Sequence, residues 1–277
     1  MLIDSFEASK ILKAHKERKN SIKVHLNLGI TEIEVLLKGD RIEIGEYAYN
    51  LRTITKIAKD QSIFELAKKP IKIAFFDQRY YKLEPLKDSA PTIEIDGIRM
   101  HRTKNLKPLE DAQLKIKWIG VRKGENVLDI CTGLGYTAIE SFRKGAKVTT
   151  IEKDPNVIEI ANKNPFSSEL FEGIDQKKLE LIQEDASIAV KSFKEESFDA
   201  ILHDPPRFSL AGELYSEDFY RELYRILRKG GRVLHYVGSP GSKYRGKDFI
   251  KGVQKRLISA GFRTKKTPDG ESILAYK

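Results

Sequence analysis

The 277 residues are 40% hydrophobic and 32% charged, a composition that suits a folded chain with one large core, or a core domain with a smaller partner. No apolar run is long enough to cross a bilayer and no signal-like segment opens the chain, so a cytoplasmic protein without membrane contact is expected. The single Cys131 excludes an internal disulfide, the five histidines show neither HxxxH nor HExxH spacing so no metal is expected, and the net charge of +10 favours a polyanion such as RNA as partner.

In chain order, FEASKILKAHKERK predicts a short basic helix, and TEIEVLLKGDRIEIGEYAYNL a hairpin turning at Gly39-Asp40. PIKIAFFDQRYYKLEPL and APTIEIDGIRMHRT add strands broken by Pro85, Pro91 and Gly97. Residues 1–108 therefore read as a β-rich module, whose basic and tyrosine-bearing stretch DQRYYKLEPLK suits contact with RNA, while Tyr80 and Tyr81 also suit plain alternation across a sheet.

LEDAQLKIKWIG has helical spacing at Ala112, Ile116 and Ile119 and opens the second domain, 109–277. Strands and helices then alternate. ENVLDI, KVTTIE, LELIQED, FDAILHD and GRVLHYV are strands; TAIESFRK, PNVIEIANKN, EDFYRELYRILRK (capped by Ser216) and GKDFIKGVQKRLISA are helices. The strand cores are continuous apolar runs, as expected for a parallel sheet covered on both faces, so the fold class is α/β, a doubly wound, mostly parallel sheet. FRTKKT and SILAYK, around Asp269-Gly270, form a closing hairpin that adds an antiparallel strand.

DICTGLGYTA lies between the first strand and the first helix, where Gly133 and Gly135 allow a sharp turn and close approach of a ligand. It lacks the third glycine of the dinucleotide fingerprint and the Gly-Lys-Ser/Thr of a phosphate loop. Glu152 ends the second strand, where a carboxylate can accept both hydroxyls of a ribose. Asp185 ends the third, placed to read an adenine amino group, with the Ala186 backbone as donor to the ring.

On these residues the chain, from Glu125 to Lys277, resembles the class I S-adenosylmethionine-dependent methyltransferases. The resemblance implies a seven-stranded sheet, S-adenosylmethionine as cofactor, and contacts to it from Asp129, Cys131, Thr132, Gly133, Gly135, Tyr136, Glu152, Lys153, Asp185, Ala186 and His203.

HDPPRFSL then follows the fourth strand. It is similar to the Asp/Asn-Pro-Pro-aromatic motif of the family's amine methylases, in which the acid or amide side chain and the first proline's carbonyl accept hydrogen bonds from a planar NH₂. Asp204, Pro205, Pro206, Arg207 and Phe208 become the catalytic candidates. The prolines stiffen the loop, and orientation of the amine supplies most of the catalysis. Arg207 stands where the family has its stacking aromatic, and Phe208, one residue on, can take that role. Lys243, Arg245 and Lys247 form a basic loop suited to RNA phosphates.

The whole chain also resembles archaeal predicted methyltransferases with an extra N-terminal module, which implies amine methylation in RNA, first of cytosine N4 in rRNA (mono- or dimethylation) and alternatively of guanine N2 in tRNA or rRNA. Methylation at pyrimidine C5 is disfavoured because Cys131 sits in the cofactor loop. Two other classes stay open: a polyamine aminopropyltransferase, which shares the fold, and a non-catalytic RNA-binding protein. Oligomeric state is left open.

Overall fold

The structure is a computed structural model that describes residues 1–238 and 245–277, with the backbone alone for 245–248. It divides into two compact units, 1–109 with 159–166, and 110–158 with 167–277.

The larger unit opens with α1 (Pro108–Ile119), whose Ala112, Ile116 and Ile119 are all buried, as their spacing predicts. Then follow β1 (Asn126–Ile130), α2 (Tyr136–Arg143), β2 (Lys147–Ile151), α3 (Pro155–Lys163, counted with the smaller unit from Glu159 on), α4 (Ser168–Asp175), β3 (Leu179–Ile182), α5 (Ala186–Ser192), β4 (Phe198–His203), α6 (Glu217–Ile226), β5 (Leu227–Tyr236), α7 (Arg245–Ser259), β6 (Arg263–Lys266) and β7 (Ser272–Tyr276). The seven strands lie in the order β3-β2-β1-β4-β5-β7-β6. β3, β2, β1, β4 and β5 are parallel, and β7 runs antiparallel to both β5 and β6.

Alternation along the strands divides the core between the two sheet faces. Leu128, Ile130, Ile201 and Val233 pack with residues of α5, α6 and α7 on one face. Val127, Ala200, Leu202 and Leu234 pack with residues of α1, α2 and α4 on the other. Strand order reverses between β1 and β4, so their carboxyl ends open a crevice where sheets of this kind bind ligands.

The smaller unit has one four-stranded antiparallel meander (Ser21–His25, Thr31–Lys38, Arg41–Ile44, Tyr47–Asn50) and a second four-stranded sheet built around Arg79–Leu86 and Ser89–Ile95. Lys38 pairs with Arg41 across the predicted Gly39-Asp40 turn. Tyr81 is buried and stacks on Phe75 at 5.6 Å, whereas Tyr80 is partly exposed, so the pair does alternate across a sheet.

Several elements differ from the sequence expectations. Pro85 and Pro91 lie inside strands, at a register irregularity between Ser89 and Thr92 that spares the ladder their missing N–H groups. Leu51–Lys59 is a helix capped by Asn50, which accepts from the Thr53 N–H at 2.8 Å; its β-branched Thr and Ile content masks the Ile54/Ile57 spacing. The helix expected over EDFYRELYRILRK stops at Ile226, because Leu227 pairs with Phe198 and begins β5.

Candidate functional site

Asp129, in β1, is fully buried. Its carboxylate accepts hydrogen bonds from Thr137 Oγ1 and Thr150 Oγ1, each at 2.7 Å. Burial pushes its pKa up to about 7 against the opposing pull of those hydroxyls. The chain then turns through Cys131 (φ 72°), Gly133 (φ 55°) and Gly135 (φ 77°). The N–H groups of Cys131 and Thr132 both donate to the Ile151 carbonyl at 3.0 Å, which ties the loop to β2. A Cβ on Gly135 would lie 2.6 Å from Leu170 Cδ2, whereas one on Gly133 would point into open space. Burial pushes the Cys131 thiol up, which disfavours the thiolate that C5 chemistry needs. Tyr136 begins α2 and is buried.

Glu152 follows β2 directly. Its carboxylate accepts from the Gly133 N–H at 3.0 Å and the Asp154 N–H at 3.1 Å, and burial raises its pKa. Asp185 caps α5, accepting from the Ser187 N–H at 2.9 Å and the Ser187 hydroxyl at 2.6 Å. Its pKa is lowered: burial opposes the charged form, but the Ser187 bonds and Lys153 outweigh it. Lys153 reaches Asp185 Oδ2 at 3.4 Å with half its side chain in solvent, a weak pair. Ala186 is buried as the first residue of α5.

At the end of β4, neighbouring residues go to opposite faces. The His203 ring is fully buried, stacked on His235 at 4.2 Å and 5.2 Å from Phe219, and neither ring nitrogen has a hydrogen-bond partner among the described residues. Burial depresses its pKa well below the usual histidine value, so the ring is neutral. Its side chain lies on the α6 face, beside His235, Phe219 and Tyr220.

Asp204 instead takes the α1 face, where its Oδ2 lies 2.5 Å from Lys115 Nζ. Lys115 also pairs with Asp111 at 2.7 Å, sits 4.5 Å from the centre of the Tyr236 ring, and has a buried side chain. Burial alone would lower the Lys115 pKa, but Asp204 and Asp111 outweigh it and raise the value, so the ammonium stays charged.

Beyond Asp204 the prolines are held from below, because the Tyr215 hydroxyl donates to the Pro206 carbonyl at 2.9 Å. Arg207 is exposed. Phe208 is 51% exposed, with edge contacts at 5.6 Å to both Tyr215 and Phe249. Its ring is thus supported on one side and open on another.

The strand ends therefore bring Asp129, Gly133, Glu152, Asp185 and Asp204 to one edge of the sheet. This donor set suits an adenosyl ligand, with open space over Gly133, paired carboxylate oxygens at Glu152, and a helix N-terminus after Asp185. Lys243 lies outside the described residues, as do the side chains of Arg245 and Lys247. Sequence reasoning missed Lys115 and Asp111, although their i, i+4 spacing on a helix of opposite charges was a readable signal.

Sheet order, reversed last strand and glycine loop together make this a class I, Rossmann-fold, S-adenosylmethionine-dependent methyltransferase-like protein. A methyltransferase-domain model matches residues 128–235. The chain belongs to the same family as the uncharacterized protein MJ1233 of Methanocaldococcus jannaschii, to which it is 47% identical over 99% of this chain and 95% of that protein. A polyamine aminopropyltransferase of Prochlorococcus marinus is 32% identical over 53% of this chain and 53% of its own length. Among solved structures, a spermidine synthase bound to the transition-state analogue AdoDATO superposes with a TM-score of 0.59 at 19% identity, over 73% of this chain and 71% of that one, a likeness of fold alone. The transferase fold is thus one shared by methyltransferases and polyamine aminopropyltransferases.

Proposed function

We propose that the chain methylates the exocyclic amine of a nucleobase in RNA from S-adenosylmethionine, with cytosine N4 in rRNA as the first choice and guanine N2 as the alternative base. One observation carries the reading. The acid of the stiff Asp204-Pro205-Pro206 loop stands at the crevice between β1 and β4 with its charge matched by buried Lys115, and the half-open Phe208 ring lies beyond it.

In this reading Gly133, Glu152 and Asp185 hold the cofactor's methionine, ribose and adenine parts. When bound, the cofactor would supply an electrophilic methyl carbon, to which an uncharged amine nitrogen would bond as the S–CH₃ bond breaks, with S-adenosylhomocysteine as leaving group and one N–H proton released to solvent. Asp204 and the Pro205 carbonyl accept the two N–H groups of the acceptor and so aim its nitrogen, Phe208 stacks on the base, and Arg207 stacks or holds a phosphate. The net charge of +10 supports a polyanionic substrate, which the smaller unit and the basic residues Lys243, Arg245 and Lys247 would help to hold.

A second reading, aminopropyl transfer to a polyamine, is favoured by the comparisons, since both the curated aminopropyltransferase and the spermidine synthase structure share this fold. Two measurements decide between them. Nucleoside mass spectrometry of rRNA and tRNA, from cells with and without the gene, should lose one methylated amine nucleoside. Titration should show tighter binding of S-adenosylmethionine than of its decarboxylated form; the reverse preference, with both RNA pools unchanged, replaces the first reading by the second. Asp204→Ala should abolish transfer and largely spare cofactor affinity, whereas Glu152→Ala should weaken the affinity.

A further inference from the structure

We infer that Lys115 is a positioning residue that acts through Asp204, occupying the place of a cationic acceptor and so reserving the site for an uncharged amine. The inference rests on the reading of Asp204 as the residue that meets the acceptor.

Asp204 leaves β4 on the α1 side because Ala200 and Leu202, which share its parity, face that way. There the Lys115 ammonium is held by three groups, Asp204 at 2.5 Å, Asp111 at 2.7 Å and the Tyr236 ring at 4.5 Å. Carboxylates around an aromatic face are the chemistry that binds an alkylammonium ion. Here that chemistry is already satisfied by the chain's own lysine, which α1 fixes through buried Ala112, Ile116 and Ile119.

A diamine such as putrescine is doubly cationic at neutral pH. To reach Asp204 it would have to displace a buried ammonium or accept like-charge contact with it, and both outcomes discriminate against it. The amino group of a nucleobase is uncharged and needs only hydrogen-bond acceptors. It can use the part of the Asp204 side chain that reaches solvent, which is 28% exposed, while Lys115 remains beneath. The lysine also fixes the carboxylate's orientation, which a solvent counter-ion would not do. Being held in its charged form by both acids, Lys115 is no proton acceptor for the reaction.

The test uses the full chain with Lys115→Met and Lys115→Arg. Calorimetry with putrescine should give weak binding for wild type and Lys115→Arg, and binding tighter by on the order of tenfold or more for Lys115→Met. Methyl transfer to transcribed, unmodified rRNA should fall in kcat for Lys115→Met, recover in Lys115→Arg, and leave affinity for S-adenosylmethionine unchanged. If Lys115→Met does not fold, Lys115→Met/Asp111→Asn removes one charge of each sign, and the same gain in putrescine binding is expected. Unchanged putrescine affinity in a folded Met variant, or equal loss of cofactor affinity and kcat, overturns the inference. Absence of methyl transfer by the wild type to any RNA overturns the methylation reading instead, and the putrescine measurement still reports whether Lys115 guards Asp204.

Discussion

Gly133 and Gly135 both have left-handed backbone, yet the structure predicts different consequences for replacing them with alanine. At Gly135 the added Cβ falls 2.6 Å from Leu170 Cδ2 and 3.3 Å from Leu170 Cγ, and Leu170 is itself buried in the core. Left-handed backbone costs a non-glycine residue about 1–2 kcal/mol, and forcing a methyl into a packed core costs about 1–3 kcal/mol more. Gly135→Ala should therefore destabilise the fold by about 2–5 kcal/mol. At Gly133 nothing lies within 4 Å of the added atom, so only the backbone cost of about 1–2 kcal/mol applies. The open space there is where the cofactor is proposed to lie, so Gly133→Ala should lower its affinity by on the order of tenfold or more. Urea unfolding of the cofactor-free chain measures the first effect and calorimetric titration with S-adenosylmethionine the second. Equal destabilisation by the two substitutions would refute the packing argument. Wild-type affinity in Gly133→Ala would refute the assignment of that loop to a ligand.

Asp129 gives a prediction in pH. Its pKa rises from 3.8 unfolded to about 7 folded, so between those values the folded state binds the extra proton and stability falls as pH rises, by up to about 4 kcal/mol, with no further change above 7. Asp129→Asn should remove that slope in urea-unfolding curves taken from pH 4.5 to 8; a slope equal to wild type would sink the assignment. Buried His203 and His235 act oppositely, since their lowered pKa values make stability fall as pH drops below about 6.5, and they are common to both proteins. Tyr215→Phe leaves the Pro206 carbonyl without its 2.9 Å donor and should cost about 1 kcal/mol, with a several-fold loss in kcat and unchanged cofactor affinity; a loss confined to cofactor binding would contradict it. Arg207→Ala at an exposed position should change stability by less than about 0.5 kcal/mol while raising KM for RNA and flattening its salt dependence; an unchanged KM would remove Arg207 from the acceptor site.

The larger unit was legible in the sequence because its strands are unbroken apolar runs and its turns carry glycine or proline at defined places. Val127–Ile130 and Ala200–Leu202 could hardly be anything but covered parallel strands. The smaller unit was less so. Helix Leu51–Lys59 is rich in Thr and Ile, and Pro85 and Pro91 imitate strand ends although a register irregularity absorbs them. At the site, position along the chain identified the strand ends but not the direction of each side chain. His203 and Asp204 are adjacent, and only the parity set by Ile201 and Leu202 sends one into the core and the other towards Lys115. The partnership of Lys115 with Asp204 spans 89 residues, a separation that no local pattern encodes.

That partnership also bears on why one fold serves two chemistries. Methyl and aminopropyl donors are both adenosyl sulfonium compounds that differ at the methionine carboxylate, so Glu152 and Asp185 could serve either and only the glycine loop would tell the donors apart. Discrimination between acceptors falls to the other side of the crevice, where the two acceptors differ chiefly in charge. A polyamine must bring ammonium groups to carboxylates that lack an internal counter-ion, whereas a nucleobase amine brings none. With Lys115 seated against both Asp111 and Asp204, and Arg207 exposed three residues on, a cationic acceptor would meet like charge at the residue that should aim its nitrogen. An uncharged amine would meet fixed acceptors at no such electrostatic cost, and under the methylation reading phosphates beside it would gain from the same arginine.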